Sequence, residues 1–343
     1  MREAMFWEKR EGGKVKCSLC RFRCLVAEGQ RGICGVRENR EGTLYTLVYG
    51  RSIAEHVDPI EKKPLFHYLP GSTSFSVATV GCNFRCLHCQ NYEISQDLSR
   101  QTFIPGHELP PAEIVRSAVG AGCRSISYTY TEPTIFYEYA YDTAVLARRE
   151  SMGNVFVTNG YITPEALEHI APYLDAANVD LKGFSEKFYR EVAGATLQGV
   201  LDSLKEYRRL GIWVEVTTLI IPGHNDGEED LRGVARFIAQ ELGPETPWHV
   251  TAFYPTYRLL DVSPTSAATL RKARRIGLEA GLEFVYEGNI PGEGGENTLC
   301  PACGKTVVER QGFRLVEMHL ASGRCGFCNV PVAGIWERKE GGG

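Results

Sequence analysis

The sequence predicts an α/β protein in which parallel strands alternate with crossover helices, flanked on both sides by cysteine-rich segments. Two observations lead to this prediction. Short β-rich runs alternate with helical patterns through the middle of the chain, and eleven of its twelve cysteines fall into three tight groups. Such alternation is typical of a barrel or an open sheet with parallel strands. We expect a partial (β/α)6 barrel of about six parallel strands plus an edge strand.

Seven runs are candidate strands of this core. They are Phe75–Val80, Ser125–Tyr130, Val155–Thr158, Asn178–Leu181, Trp213–Leu219, His249–Phe253 and Glu283–Tyr286. Helical patterns fill the gaps between them. Thr163-Pro164 and Ser263-Pro264 each place a capping hydroxyl before a proline, which is typical of a helix start.

The cysteine groups suggest three parts: an N-terminal cysteine-rich segment at 1–70, a core at 71–290 and a C-terminal ribbon at 291–343. The glycine-rich stretch Gly288–Glu296 is predicted to be a linker. The last part is too short to bury much apolar surface, so a bound metal is expected to stabilise it. We therefore expect truncation before Asn297 to leave the core folded.

Composition excludes several classes of protein. Lys and Arg number 38 against 42 Asp and Glu, a net charge of −4, so we expect no broad surface for nucleic acid. No run reaches the 18 or so apolar residues of a membrane span, and the charged start does not resemble a signal peptide. A soluble, cytoplasmic protein without a membrane partner is expected. In that setting, clustered cysteines indicate metal or redox chemistry rather than disulfides.

The central group, Cys82-x3-Cys86-x2-Cys89, lies in a loop after the first core strand. Three neighbouring thiolates can hold three irons of a [4Fe–4S] cluster and leave the fourth iron open for chemistry. The spacing also allows a zinc site whose fourth ligand is His88 or another side chain.

Polar side chains stand at or near the ends of the predicted strands. They are Thr131, Glu132, Asn159, Asp180, Lys182 and His249. The carboxyl ends of parallel strands form one rim, where α/β barrels build active sites. Each residue also has a structural alternative. Asn159-Gly160 fits a turn, and Asp180 with Lys182 fits an ion pair. His249 fits a core histidine, and Glu132 fits a helix start.

These motifs resemble the radical S-adenosylmethionine superfamily over about residues 74–290. That family carries the signature C-x3-C-x-aromatic-C, and His88 fills the aromatic position, which lies near the adenine. Tyr130-Thr131-Glu132-Pro133 stands where the family has its glycine-glycine-glutamate-proline motif, which binds the methionyl amino group. Thr158-Asn159-Gly160, Asp180-Leu181-Lys182 and His249 resemble stretches that hold the cofactor's carboxylate and ribose in activating enzymes for glycyl-radical proteins.

The resemblance implies a [4Fe–4S] cluster, S-adenosylmethionine and a radical SAM type of fold. The reduced cluster would donate an electron to the sulfonium, yielding methionine and a 5′-deoxyadenosyl radical that abstracts a hydrogen atom from an unidentified substrate. It also implies an electron donor of ferredoxin or flavodoxin type. A protein is one option for the substrate.

The outer cysteine groups each provide four thiolates. The N-terminal group is Cys17, Cys20, Cys24 and Cys34, and the C-terminal group is Cys300, Cys303, Cys325 and Cys328. The N-terminal spacing allows either zinc or an auxiliary [4Fe–4S] cluster. The C-terminal spacing, C-x2-C-x21-C-x2-C, fits a tetrahedral S4 site for zinc, as in zinc ribbons, or for iron, as in rubredoxin.

Two further segments, Asp58–His67 and Gly288–Pro291, resemble the radical enzyme of the AmmeMemoRadiSam group, a relative of pyruvate formate-lyase activating enzyme. Two alternative functions stay open at this point. One is activation of a glycyl-radical protein partner, and the other is a non-catalytic protein that holds zinc in all its cysteine groups.

Overall fold

The chain divides into two units. A computed structural model describes residues 1–96, 98, 103–290 and 294–337, so residues 291–293 of the predicted linker lie outside the described residues. Unit 1 comprises Met1–Asp58 and Thr73–Asp175, and unit 2 comprises Pro59–Ser72 and Ala176–Gly343. The three-part division at 70 and 290 stays a prediction about how the chain folds.

Unit 1 contains twelve strands and four α-helices among the described residues. The strands are β1 (Arg2–Glu3), β2 (Trp7–Lys9), β3 (Val15–Cys17), β4 (Leu25–Val26), β5 (Arg37–Arg40), β6 (Thr43–Thr46), β7 (Arg51–Ser52), β8 (Ala54–Pro59), β9 (Thr73–Ala78), β10 (His107–Glu108), β11 (Ser125–Tyr128) and β12 (Gly153–Thr158). The helices are α1 (Tyr92–Ser95), α2 (Pro111–Gly120), α3 (Tyr137–Arg149) and α4 (Pro164–Ile170). Strands β9, β11 and β12 are parallel neighbours. The N-terminal strands form two small sheets, in the orders β1-β6-β5 and β2-β3-β4.

Unit 2 combines parallel strands with a C-terminal antiparallel ribbon. Its strands are β13 (Ala176–Asp180), β14 (Trp213–Ile220), β15 (Trp248–Ala252), β16 (Val285–Gly288), β17 (Thr298–Leu299), β18 (Thr306–Gln311), β19 (Arg314–Met318), β20 (Leu320–Ala321) and β21 (Arg324–Cys325). Its helices are α5 (Glu186–Phe188), α6 (Leu197–Arg209), α7 (Glu228–Phe237) and α8 (Ala267–Glu279). Strands β13 to β16 pair in chain order, all parallel. None of the helices in the described part of the chain has both the length and the apolar character that a membrane span requires.

All seven predicted core strands are present, as β9 and β11 to β16, with ends displaced by at most two residues. The α/β class with parallel strands is therefore confirmed within each unit. These strands are buried almost throughout, as expected for parallel strands covered on both faces. Every residue of β11 is buried, for example.

The two predicted helix starts have different outcomes. Helix α4 begins at Pro164 as expected, but the Thr163 hydroxyl does not cap it and instead donates to the carbonyl of Ser18 at 2.8 Å. The predicted start at Ser263-Pro264 is wrong, because α8 begins at Ala267. The Ser266 hydroxyl accepts the Thr269 amide at 3.1 Å and so provides the cap three residues further on.

A buried carboxylate organises the interior of unit 2. Glu215, in β14, accepts hydrogen bonds from the backbone amides of Phe66 (2.9 Å) and His67 (2.7 Å). It also contacts Nε2 of His249 at 2.7 Å and accepts from the indole of Trp213 at 3.1 Å. Burial raises the pKa of Glu215, but the bond and charge of His249 outweigh burial and the net pKa is lowered. A buried charge with this many partners fixes the segment 59–72 against the strands.

A chain of hydrogen bonds connects this segment to the C-terminal ribbon. Arg310 donates to the hydroxyl of Thr298 (2.9 Å), which lies 2.8 Å from the Tyr286 hydroxyl. The Tyr286 hydroxyl lies 2.6 Å from Nε2 of His67, and Nδ1 of His67 lies 2.6 Å from the carbonyl of Ala333. The carbonyl can only accept, so Nδ1 of His67 carries a proton. Burial lowers the pKa of His67 to about 4, so at neutral pH the ring is neutral and Tyr286 donates to Nε2.

The ribbon shares a hydrophobic core with the rest of unit 2. Its members are Phe66, Phe284, Tyr286, Cys300, Val307, Cys325 and Val332. The guanidinium of Arg310 also lies 4.3 Å from the centre of the Phe66 ring. Truncation before Asn297 would remove four of the seven members of this cluster and leave buried polar groups without partners. Because of this shared core we expect truncation to lower the stability of unit 2, and the expectation that the core stays folded without the ribbon stays a prediction.

We predict that unit 2 loses stability as the pH falls from about 6.5 to about 4. Burial lowers the pKa of His67 from 6.5 to about 4. Between these values the unfolded chain binds more protons than the native chain, so acid favours unfolding. The loss reaches about 3 kcal/mol at the lower end.

Denaturant unfolding followed at pH 7 and pH 5 measures this loss. The variant His67→Gln should be less stable at pH 7 but should lose less on acidification. His224→Gln, which alters an exposed histidine of the same unit, should retain the parent's pH dependence. An equal pH dependence in the parent and His67→Gln would contradict the assignment.

Candidate active site at the central cysteines

The three central cysteines lie in the loop after β9. Cys86 is buried, and Cys82 and Cys89 are half-buried. The amide of Phe84 donates to the sulfur of Cys82 at 3.4 Å, and the amide of Cys89 donates to the carbonyl of Cys86 at 3.3 Å. Burial, followed by the charges of Glu132, Cys86 and Cys89, raises the pKa of Cys82 well above its ordinary value. The loop thus gathers thiols that need a cationic partner to ionise.

Glu132 is the buried carboxylate of unit 1. It follows β11, and its Oε1 accepts from the amide and hydroxyl of Thr134 (3.0 and 2.6 Å) and the hydroxyl of Thr158 (2.7 Å). Its Oε2 accepts from the amide of Asn159 at 2.8 Å. Burial raises the pKa of Glu132, while these hydrogen bonds oppose the shift. Glu132 therefore serves as a helix-start carboxylate, as its place before Pro133 suggested, and also joins the ends of β11 and β12.

Asn159 connects this carboxylate to the cysteine loop. Its side-chain amide lies 2.7 Å from Oδ1 of Asn83 and 3.8 Å from the sulfur of Cys82, while its backbone amide donates to Glu132. Its Oδ1 accepts from the amide of Tyr161 at 3.1 Å, which is a turn interaction at Asn159-Gly160. The turn interpretation therefore describes this residue, and its role toward a cofactor stays a prediction. The structure brings Cys82, Glu132 and Asn159 together in unit 1.

Asn83 is a site residue that the sequence analysis did not select. It is fully buried, and its Nδ2 has no hydrogen-bond partner among the described residues. An unsatisfied buried donor next to Cys82 suits an anionic group bound by the loop. Its only signal in the sequence is its place directly after the first cysteine of the motif.

Tyr130 adopts a conformation that usually requires glycine. Its φ is 62°, in the left-handed region. The radical S-adenosylmethionine superfamily, which the sequence resembles, has glycine at this position. Such a conformation costs a tyrosine about 1–2 kcal/mol. The Tyr130 hydroxyl donates to Asp58, and Asn91 donates to the Tyr130 carbonyl at 2.6 Å. These contacts hold the turn before Glu132 in place despite the replacement of glycine.

Two more predicted residues lie on the same loops of unit 1. The hydroxyl of Thr131 donates to the carbonyl of Thr79 at 2.8 Å and so links the turn before Glu132 to the end of β9. His88 is buried, 4% exposed, between Cys86 and Cys89 in the chain.

The other predicted ligands lie in unit 2. Asp180 ends β13, and its carboxylate forms an ion pair with Lys182 at 2.8 Å. His249 lies in β15, buried, with Nε2 on Glu215 and its ring stacked on Tyr286 at 5.1 Å. Both arrangements match the structural alternatives, and their roles toward a cofactor stay predictions.

The C-terminal cysteines differ from the other two groups in spacing. Among the described His, Cys, Asp and Glu, the one set of three or more ligand atoms within 4.8 Å of each other is Cys300, Cys303, Cys325 and Cys328. The sulfur–sulfur distances are 3.6 Å for Cys300–Cys328 and 3.8 Å for Cys303–Cys325. A tetrahedral ion with metal–sulfur bonds of about 2.3 Å places its ligands about 3.8 Å apart. The predicted tetrahedral S4 site is therefore present, and its geometry suits zinc and iron alike.

The central group fits a larger metal centre. The sulfurs of Cys82, Cys86 and Cys89 do not all lie within 4.8 Å of one another, although the three residues belong to one loop. In a [4Fe–4S] cluster each thiolate binds a different iron, so the sulfurs are farther apart than around a single ion. Three thiolates also leave one iron without a protein ligand. This donor set, with the unsatisfied amide of Asn83 beside it, fits a [4Fe–4S] cluster better than a zinc ion.

Comparison with known proteins supports the same chemistry. Residues 76–238 match the model of the Radical SAM superfamily. The chain is 49% identical over 334 residues to "Uncharacterized protein MJ0808" of Methanocaldococcus jannaschii, a match that covers 97% of this chain and 99% of that protein. It is 23% identical over 221 residues to a pyruvate formate-lyase-activating enzyme of Clostridium pasteurianum, covering 60% of this chain and 89% of that enzyme.

A solved structure shares the fold. Streptococcus suis SuiB bound to precursor peptide SuiA has a TM-score of 0.50 and 16% identity, with 67% of this chain and 51% of that chain covered. Family membership implies a [4Fe–4S] cluster and S-adenosylmethionine, and the three cysteines after β9 are the thiolates that would hold the cluster. The chain belongs to the radical SAM superfamily and is an enzyme of that type, related to pyruvate formate-lyase activating enzyme.

Proposed function

We propose that the chain cleaves S-adenosylmethionine reductively to methionine and a 5′-deoxyadenosyl radical, which abstracts a hydrogen atom from a substrate. The observation that carries this proposal is the arrangement of Cys82, Asn159 and Glu132. A cysteine loop, an amide and a buried carboxylate are joined by hydrogen bonds at the ends of three parallel strands. The bound cluster and cofactor supply the electron transfer and the radical, and the chain supplies their binding and orientation.

The chain's own groups divide this work. Cys82, Cys86 and Cys89 would ligate three irons, and their loop provides no fourth thiolate. Glu132 would receive the methionyl amino group on Oε2, the oxygen that accepts the Asn159 amide. Asn159 would keep that oxygen oriented, and Asn83 would donate from its free Nδ2 toward the cluster. His88 would lie near the adenine.

The remaining cofactor roles that the family resemblance implies fall on residues of unit 2. Asp180 and Lys182 present opposite charges 2.8 Å apart, which suits a ribose hydroxyl at the carboxylate and a cofactor carboxylate at the ammonium. His249 would act with its other ring nitrogen, because Nε2 is already bonded to Glu215. We assign the external electron source to a ferredoxin or flavodoxin, and the S4 site of the ribbon to a single zinc or iron ion.

A second candidate function is activation of a glycyl-radical protein. Its support is the match to the Clostridium pasteurianum activating enzyme, which extends over 89% of that enzyme. In that case the hydrogen donor would be a backbone glycine of a partner protein. Trapping of a glycyl radical on a partner would favour this candidate, whereas deuterium transfer from a small molecule to 5′-deoxyadenosine would favour the first.

We predict that Cys86→Ala abolishes 5′-deoxyadenosine formation. The variant should lose about one [4Fe–4S] equivalent because one of three protein ligands is missing. Cys123→Ala, which alters a buried cysteine outside all three groups, is the matched control and should retain both. The checks are iron and sulfide content with product quantification by liquid chromatography. If Cys86→Ala formed 5′-deoxyadenosine at the parent rate, the assignment of these cysteines to the active site would be contradicted.

We also predict that Asp180→Asn weakens S-adenosylmethionine binding without loss of cluster iron. Removing a hydrogen bond to a charged group costs roughly 1.5–3 kcal/mol, about a ten- to hundredfold rise in Kd. Asp261→Asn, at an exposed aspartate of the same unit, should leave Kd unchanged. Equilibrium binding of S-adenosylmethionine to the anaerobic protein measures the difference. Equal Kd values for the two variants would show that Asp180 forms only a structural ion pair.

A further inference from the structure

The four N-terminal cysteines gather at one place in unit 1. Cys17, Cys20 and Cys34 are buried, and Cys24 is half-buried. The amide of Cys17 donates to the carbonyl of Cys24 at 2.9 Å, which closes the loop between them. The amide of Arg23 donates to the carbonyl of Cys20 at 3.0 Å, in the turn that leads to Cys24. The sulfur of Cys24 in turn lies 3.8 Å from a Cβ placed on Gly32, in the turn that carries Cys34.

Their spacing resembles the central group and differs from the ribbon. The C-terminal sulfurs all lie within 4.8 Å of one another, close enough for one tetrahedral ion, whereas no three of the N-terminal sulfurs, all in described residues, lie so close together. The chain therefore contains one closely spaced S4 site and one set of four more widely spaced thiols, and the wider spacing fits a cluster. Four thiolates at the wider spacing match a [4Fe–4S] cluster in which every iron has a protein ligand.

A buried cation lies beside these thiols. Arg37 is 2% exposed, and its Nη2 bonds to Glu138 and to the carbonyl of Met5, both at 2.6–2.7 Å. Its Nε and Nη1 have no hydrogen-bond partner among the described residues. The amide of Gly32 donates to the carbonyl of Arg37 at 2.9 Å, so Arg37 lies against the turn that carries Cys34. Two unsatisfied donors on a buried cation near four thiols indicate an anionic group at this place.

The N-terminal and central groups are neighbours. Arg85, between Cys82 and Cys86, donates to the carbonyl of Ile33, the residue before Cys34. Gly81 has a φ of 102°, and a Cβ at this position would lie 3.0 Å from the carbonyl of Cys34. Cys82 directly follows Gly81, and consecutive Cα atoms are about 3.8 Å apart. The Cα atoms of Cys82 and Cys34 therefore lie on the order of 10 Å apart.

We propose that Cys17, Cys20, Cys24 and Cys34 bind an auxiliary [4Fe–4S] cluster that passes single electrons to the central cluster. An external ferredoxin or flavodoxin would be oxidised by one electron and would reduce the auxiliary cluster from the 2+ to the 1+ state. The auxiliary cluster would return to 2+ as the central cluster is reduced. The relay rests on the proposed function, whereas the site itself does not.

Sulfide content tests the site. The triple variant Cys82→Ala/Cys86→Ala/Cys89→Ala, reconstituted anaerobically, should retain about four acid-labile sulfides per chain and the spectrum of a reduced [4Fe–4S] cluster. The ribbon does not interfere, because a single S4 ion contains no sulfide. A triple variant without sulfide but with a second zinc would overturn the proposal. If that variant does not fold, the sulfide content of the parent chain tests the site instead. About eight sulfides per chain would support a second cluster, and about four would contradict it.

Two electron sources test the relay. For Cys20→Ser, the rate of 5′-deoxyadenosine formation with reduced flavodoxin, divided by the rate with dithionite, should fall at least tenfold relative to the parent. An unchanged ratio would contradict the relay. A parent chain that forms no 5′-deoxyadenosine but holds about eight sulfides would refute the proposed function and leave the auxiliary site standing.

Discussion

A buried carboxylate that must be fully hydrogen-bonded determines the position of the functional loops in each unit. In unit 1, Glu132 accepts four hydrogen bonds and thereby fixes the ends of β11 and β12. In unit 2, Glu215 accepts the amides of Phe66 and His67 and holds His249. Since an unpaired buried charge is strongly destabilising, each carboxylate selects one arrangement of the segments around it. The chemistry of the protein depends on loops that are positioned in this way.

Much of this could be predicted from the sequence, because the signals are local. The seven strands follow from apolar runs, and the three cysteine groups follow from spacing alone. The tetrahedral C-terminal site was also predictable, since two C-x2-C pairs bring four sulfurs within reach of one ion. Glu132 was found because it follows a strand and precedes a proline, a position where a carboxylate caps a helix start and faces the rim at once.

The remainder depends on contacts between residues far apart in the chain. Nothing local in β14 indicates that Glu215 receives amides from residues 66 and 67, about 150 positions earlier. Nothing local in the ribbon sequence indicates that Arg310 donates hydrogen bonds to the Thr298 hydroxyl and to the carbonyl of Phe66. The left-handed Tyr130 could not be foreseen, because its cost is offset by distant partners, Asp58 and Asn91.

The proposed function requires that the loop after β9 holds a cluster with one iron open to the cofactor. Electron–nuclear double resonance of the reduced protein tests this requirement, with S-adenosylmethionine labelled with ¹⁵N at the methionyl amino group. We expect a strong hyperfine coupling between the label and the reduced cluster, because the amino group would bind the iron that lacks a thiolate. A reduced cluster with bound cofactor but no coupling to the label would contradict it.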